Sequence, residues 1–100
     1  MIPADLLQKL QEADSELWED IYQAGFNHCS WPDYLIQGKL QEAIRARGWG
    51  YVIGRSSKGM TSASVYAQEG EGKTVMGYDE AEDLLRAYLS ARSREAEDKA

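Results

Sequence analysis

Apolar side chains in the first 24 residues recur at intervals of three, four and seven: Leu6, Leu7, Leu10, Leu17, Trp18 and Ile21. At about 100° per residue they form one stripe, which predicts an amphipathic helix over residues 3–24. Pro3 suits its first turn, where the missing N–H costs nothing. Gly25 suits its end, in a left-handed cap. Asp14 and Ser15 are both good N-caps and offer a break. The stripe passes them without changing phase, so one continuous helix is expected. A second helix is predicted over residues 31–47. Ser30 precedes it as N-cap, Pro32 and Asp33 lie in its first turn, and Leu35, Ile36, Leu40, Ala43 and Ile44 form its apolar face. Gly38 weakens its middle, and Gly48 ends it.

The period then changes to two. Trp49, Tyr51 and Ile53 alternate with Gly50, Val52 and Gly54, and Thr61, Ala63, Val65 and Ala67 alternate with Ser62, Ser64 and Tyr66. A third strand, 73–78, carries Val75 and Met76. The loops Ser56-Ser57-Lys58-Gly59 and Gln68-Glu69-Gly70-Glu71-Gly72 are short enough for an antiparallel meander. Asp79 caps a last helix, with Glu82 at capping-box spacing and Leu84, Leu85, Tyr88 and Leu89 on its apolar face. From Ser93 onward the apolar periodicity ends, so 93–100 reads as a charged tail or frayed helix end. The expected architecture is α+β in the order α-α-β-β-β-α, one domain over 1–92 with helices on one face of the sheet.

Charge narrows the function. Eleven Lys and Arg against seventeen Asp and Glu give a net charge of −6 and a pI near 4.7. Broad electrostatic capture of nucleic acid or anionic lipid needs clustered bases, so neither is favoured. One cysteine excludes an internal disulfide, and one histidine excludes a His-rich metal site. No apolar run approaches the roughly 18 residues of a membrane span, and Met-Ile-Pro-Ala-Asp does not open a signal peptide. A cytoplasmic protein without membrane, metal or cofactor is expected.

Catalytic chemistry has few candidates. His28 and Cys29 are the one nucleophile pair, but chain neighbours rarely face each other as a base and nucleophile must. Gly72-Lys73-Thr74 resembles the end of a phosphate loop. That motif needs glycine where Ala67 stands and a helix where a strand follows, so it reads as a hairpin turn. The acids are more telling. Asp5, Glu12, Glu16 and Glu19 fall within about 60° of one another on a continuous helix, opposite the leucine stripe. Asp14 and Asp20 add to that segment, which has Lys9 as its single base. Asp79, Glu80, Glu82 and Asp83 make a second cluster. Either face is an ordinary solvated surface or a surface that occupies a basic patch on a partner. Among the aromatics, Trp18 and Trp49 are expected in the core. Tyr66 and Tyr78 divide between the core and an open sheet face suited to protein contact.

The meander ending in Gly77-Tyr78, followed by Asp79-Glu80-Ala81-Glu82 and a leucine-rich helix, resembles the arm-DNA-binding domain of tyrosine integrases. The helix, three strands and helix are also similar to the double-stranded-RNA-binding domain. These resemblances imply a fold. Their nucleic-acid function would need bases where 48–78 holds only Arg55, Lys58 and Lys73, and where the last helix opens with four carboxylates. In size, charge and architecture the chain also resembles small acidic phage or mobile-element accessory proteins of the anti-CRISPR type. That resemblance implies a non-enzymatic inhibitor occluding a basic, nucleic-acid-binding surface of a protein or ribonucleoprotein complex. The residues expected to carry it are Glu12, Glu16, Glu19 and Asp20, or Asp79, Glu80, Glu82 and Asp83, with Tyr66 on the sheet. Two other readings stand beside it. One is a sheet-based nucleic-acid reader using Arg55, Lys58, Lys73 and Arg45 or Arg47. The other is a small enzyme or ligand-binding subunit in which His28 or Cys29 meets distant carboxylates. An uncovered sheet face or edge also leaves room for a homodimer.

Overall fold

A computed structural model describes residues 2–25, 33–68 and 71–99. It orders them as α1 (Ala4–Ala13), α2 (Ser15–Ala24), α3 (Asp33–Ala46), β1 (Gly50–Arg55), β2 (Thr61–Gln68), β3 (Glu71–Gly77) and α4 (Glu80–Lys99). The class is α+β, and the strands pair antiparallel in the order β1-β2-β3. Side-chain alternation separates the sheet's two faces. Thr61, Ala63 and Val65 are buried on the face that packs against α4. Ile53, Ala63 and Val75 share one cross-strand row on that face, and Tyr51 sits in register with Val65.

α4 is buried along more than one stripe because it has neighbours on both sides. Ala81, Leu84, Leu85, Ala87, Tyr88 and Ala91 are all buried, the sheet lies against one side, and α1 and α3 pack on the helix too. Asp83 meets the sheet through Thr61, whereas Tyr88 and Arg92 reach the α1–α2 junction. At about 100° per residue these last two stand roughly 140° and 180° around α4 from Asp83. α4 therefore separates the sheet from the helical layer. Leu10, Ile21, Ile36, Leu40 and Ile44 are fully buried in that layer, each stabilising the fold by about 1.5–3 kcal/mol. Trp18 and Trp49 pack, partly buried, against the same core.

The expected continuous N-terminal helix is two helices. Asp14 leaves helical geometry, with φ −150° and ψ 81°, and serves as the C-cap of α1 and the N-cap of α2. Its Oδ1 accepts from the Leu17 N–H at 3.1 Å, and its Oδ2 accepts from the Tyr88 hydroxyl at 2.5 Å. The Arg92 guanidinium donates to the Ala13 carbonyl at 2.8 Å beside it. Periodicity could not show this break, because Leu10 and Leu17 are seven apart and both face the core on either side of it. Gly25 ends α2 without the left-handed geometry expected of it: its φ is −98°, and its N–H reaches the Ile21 carbonyl at 2.8 Å. Gly48 does adopt φ 74° after α3, a conformation that lacks the usual Cβ penalty only in glycine. α3 runs unbroken through Gly38. The helical backbone of α4 continues to Lys99, through the segment expected as a tail or frayed end.

Burial, the hydrogen bond to Asp14 and its negative charge push the Tyr88 hydroxyl up to about 12 from 10.0. An unfolded phenol ionises near 10, so the bond's stabilisation is complete below that pH and is lost as pH rises through 12. Tyr88→Phe should lower unfolding free energy by about 1–2 kcal/mol at neutral pH. Urea titrations at a series of pH values should also show the wild-type decline between pH 10 and 12 reduced in the variant.

Candidate binding surfaces

The two acidic clusters fare differently once folded. Asp79 is the N-cap of α4: its Oδ1 accepts from the Ala81 and Glu82 N–H groups at 3.0 and 3.2 Å. Partial burial would raise its pKa, but the Asp33 hydrogen bond and the Glu82 N–H outweigh this and hold it below the usual carboxylate value. Burial, then the Asp79 hydrogen bond and charge, push Asp33 up in turn. Glu80 receives Arg55 through Nε at 3.0 Å and Nη2 at 2.8 Å. Glu82 lies 3.8 Å from Arg86, one helical turn on.

Asp83 corrects the sequence expectation outright. It is fully buried and cannot present charge to a partner. One carboxylate oxygen, Oδ2, accepts from the Thr61 hydroxyl across the sheet–helix interface. Oδ1 has no hydrogen-bond partner among the described residues and points at Gly77. A Cβ on Gly77 would overlap that oxygen and stand 3.3 Å from Cγ and 3.4 Å from Oδ2. Glycine at 77 is therefore what lets the strand pass over the carboxylate.

The N-terminal acids remain outward. Glu12 on α1 and Glu16 and Glu19 on α2 are exposed. Glu12 accepts from the neutral Gln8 amide at 3.5 Å, and Glu19 from Gln23 at 3.0 Å. They do not share one helix face as expected, because the break at Asp14 puts them on two axes. Asp20 faces α3 instead, where Lys39 lies 3.3 Å away and also reaches Glu42 at 3.6 Å. The hydrogen bond to Asp20, more than its charge, holds the Lys39 ammonium above its ordinary pKa. An open groove of about 510 Å³ runs between α2 and α3 here, with Leu17, Ala43 and Ala46 beneath the charged rim.

The bases expected to read nucleic acid do not converge. Arg55 is held by Glu80, while the Arg47 guanidinium lies 5.0 Å over the Trp49 ring. These two flank opposite ends of β1, a separation of about 17 Å or more at strand rise. Arg45 is in the last turn of α3, Lys58 in the β1–β2 turn, and Lys73 in register with Val65. His28 and Cys29 lie outside the described residues, so the pocket expected around them does too. Among the described residues no three His, Cys, Asp or Glu side chains could hold a metal ion, and no helix is long and apolar enough to cross a membrane.

Tyr66 is half-buried on the sheet face away from α4, together with Ser62 and Ser64. The same face carries Val52 and Met76, which are 57% and 63% exposed. Tyr78 follows β3 and is 77% exposed, which settles its place outside the core. Sequence reasoning missed the Thr61–Asp83–Gly77 contact. Its signals were an aspartate at a core-facing position of α4 and a glycine closing β3. The chain matches no protein-family model, no curated protein and no solved structure at a significant level.

Gly77→Ala should destabilise the protein by about 1–3 kcal/mol through overlap with Asp83. In a Gly77→Ala/Asp83→Ala double mutant the overlap is gone, so the combined loss measured by urea unfolding should fall short of the sum of the single losses by about 1 kcal/mol.

Proposed function

We propose that this protein is a non-enzymatic binding protein whose α1–α2 layer occupies a basic surface of a protein or ribonucleoprotein partner, as an acidic inhibitor of the anti-CRISPR kind would. One observation carries the reading. Residues 1–24 hold six of the seventeen acids and one of the eleven bases, so most of the net charge of −6 originates there. In the fold, Glu12, Glu16 and Glu19 stand exposed in that layer, whereas the acids at 79–83 are committed to capping, ion pairs or the core. A concentrated acidic face raises the encounter rate with a basic surface and weakens steeply with salt.

The test compares two variants of equal net charge. Glu12→Gln/Glu16→Gln/Glu19→Gln neutralises the layer, while Tyr34→Lys/Ser57→Lys/Ser93→Lys adds the same charge at exposed positions elsewhere. Each is used in a nuclease-treated pull-down at low salt, followed by affinity measurement on the recovered component. The glutamine triple should bind about tenfold more weakly, and the lysine triple should stay near wild type. Equal loss in both variants would reduce the effect to net charge and overturn the reading. Recovery of nucleic acid alone, lost on nuclease treatment, would favour the sheet-based reader instead.

A further inference from the structure

The groove between α2 and α3 already contains a long basic side chain. Lys39 crosses from α3 to α2, where its Nζ lies 3.3 Å from Asp20 Oδ2. The same ammonium lies 3.6 Å from Glu42 Oε2, one turn along its own helix. The lysine side chain is 23% exposed, whereas those of Asp20 and Glu42 are 55% and 63% exposed. The cation is therefore the sheltered member of the group, and both carboxylates stay open to solvent. Beside it lies about 510 Å³ of open groove, with an apolar floor of Leu17, Ala43 and Ala46 and with Glu16 on the α2 side. Long basic side chains settle in this way, with the aliphatic stem along apolar surface and the charged end at the polar rim. The hydrogen bond to Asp20 holds the Lys39 ammonium above its ordinary pKa against the opposing effect of burial, so the occupant is a full positive charge.

On the footing of the acidic-layer reading above, we propose that Lys39 is an internal competitor of the basic partner. It occupies Asp20 and Glu42 in the free protein, and an arginine of the partner enters the groove and takes over those carboxylates in the complex. Three physical points favour this exchange. Both carboxylates are more than half exposed, so an arriving side chain reaches them without any unfolding. An ion pair of such exposure is weak, because water already solvates both charges and holding two side chains in one geometry opposes it. Arginine is the better occupant of the two cations: its planar fork engages carboxylates through paired N–H donors, and it is less strongly hydrated than an ammonium. The displaced Lys39 ammonium stays anchored to α3 and repels the newcomer at close range. Lys39 thus sets the affinity of the acidic layer below the level its carboxylates alone would give, and it extends the contact surface from α2 onto Glu42 of α3.

A labelled hexa-arginine peptide is the probe, with binding followed by fluorescence anisotropy at low salt. Lys39→Met keeps an aliphatic stem on the groove floor and removes the charge. Lys58→Met makes the same change in net charge at an exposed turn position between β1 and β2. Lys39→Met should bind the peptide about fivefold more tightly than wild type, the upper end for a pair of this exposure. Lys58→Met should stay within about twofold, since a distant charge is largely screened. In an Asp20→Asn/Glu42→Gln background the gain from Lys39→Met should shrink to that of Lys58→Met, because nothing remains for the lysine to withhold. Lys39→Gln serves as a second variant and should behave as Lys39→Met does. A gain no larger than that of Lys58→Met, a gain that persists without Asp20 and Glu42, or no binding of the peptide by any variant would overturn the proposal. The acidic-layer reading is decided separately by the glutamine triple: if that triple still loses affinity while Lys39→Met gains none, Lys39 is no competitor and the reading stands.

Discussion

The Tyr88 hydroxyl sits on a side chain with no exposed surface, and a buried hydroxyl must find a partner. It finds Asp14, and that bond fastens the elbow of the helical layer to α4. The same carboxylate caps α2, so the group that fixes the α1–α2 junction also ties it to α4. Trp49 packs on the Tyr88 ring at 6.2 Å, and Arg47 covers Trp49. The junction between helix and sheet is thereby linked to the elbow between the first two helices. Three segments distant in sequence meet at one phenol, two of them at its hydroxyl end through the bond to Asp14 and the neighbouring Arg92–Ala13 bond.

A small domain with many acids has to place them against its own fold. Here the placement divides by distance from the sheet. Near the sheet each acid at 79–83 meets a specific donor or cation: backbone N–H groups for Asp79, Arg55 for Glu80, Arg86 for Glu82 and Thr61 for Asp83. The helix dipole adds to this, since carboxylates are favoured at an N-terminus. Among the described residues, the exposed glutamates of α1 and α2 accept from neutral amides, Glu12 from Gln8 and Glu19 from Gln23. Two clusters of equal prominence in the sequence thus have unequal freedom to meet a partner.

What the sequence made legible was local. Alternation in 49–78 located three strands and set Thr61, Ala63 and Val65 apart from Ser62, Ser64 and Tyr66, because period-two patterning depends on the pleat; β3 nonetheless begins at Glu71, inside the segment expected as a turn, and Met76 points outward while Val75 faces the core. Helix existence was equally plain, since each apolar stripe is a property of its own segment. What stayed hidden needed two segments at once. The break at Asp14 was offered by its capping residues but overruled by periodicity, because a one-residue interruption preserves the seven-residue spacing of Leu10 and Leu17. Asp83 read as a surface acid because its partner Thr61 is 22 residues away and the accommodating Gly77 belongs to another element. Asp20 read as free because Lys39 comes from a different helix. Charge counts predict where acids are, and only packing decides which of them remain outside.

The two surfaces left over by folding lie on different sides of α4. The helical layer carries the exposed glutamates, and the open sheet face carries uncharged apolar groups, so their physical demands are different. An acidic face acts at long range, loses strength with salt and tolerates loose geometry. An uncharged face acts at contact and depends on shape, with little sensitivity to ionic strength. Because α4 stands between them, occupation of one does not block the other. The division follows from the fold, since the strands supply the uncharged positions 52, 54, 62, 64, 74 and 76, while every acid of residues 1–24 lies on α1, on α2 or at the Asp14 break between them.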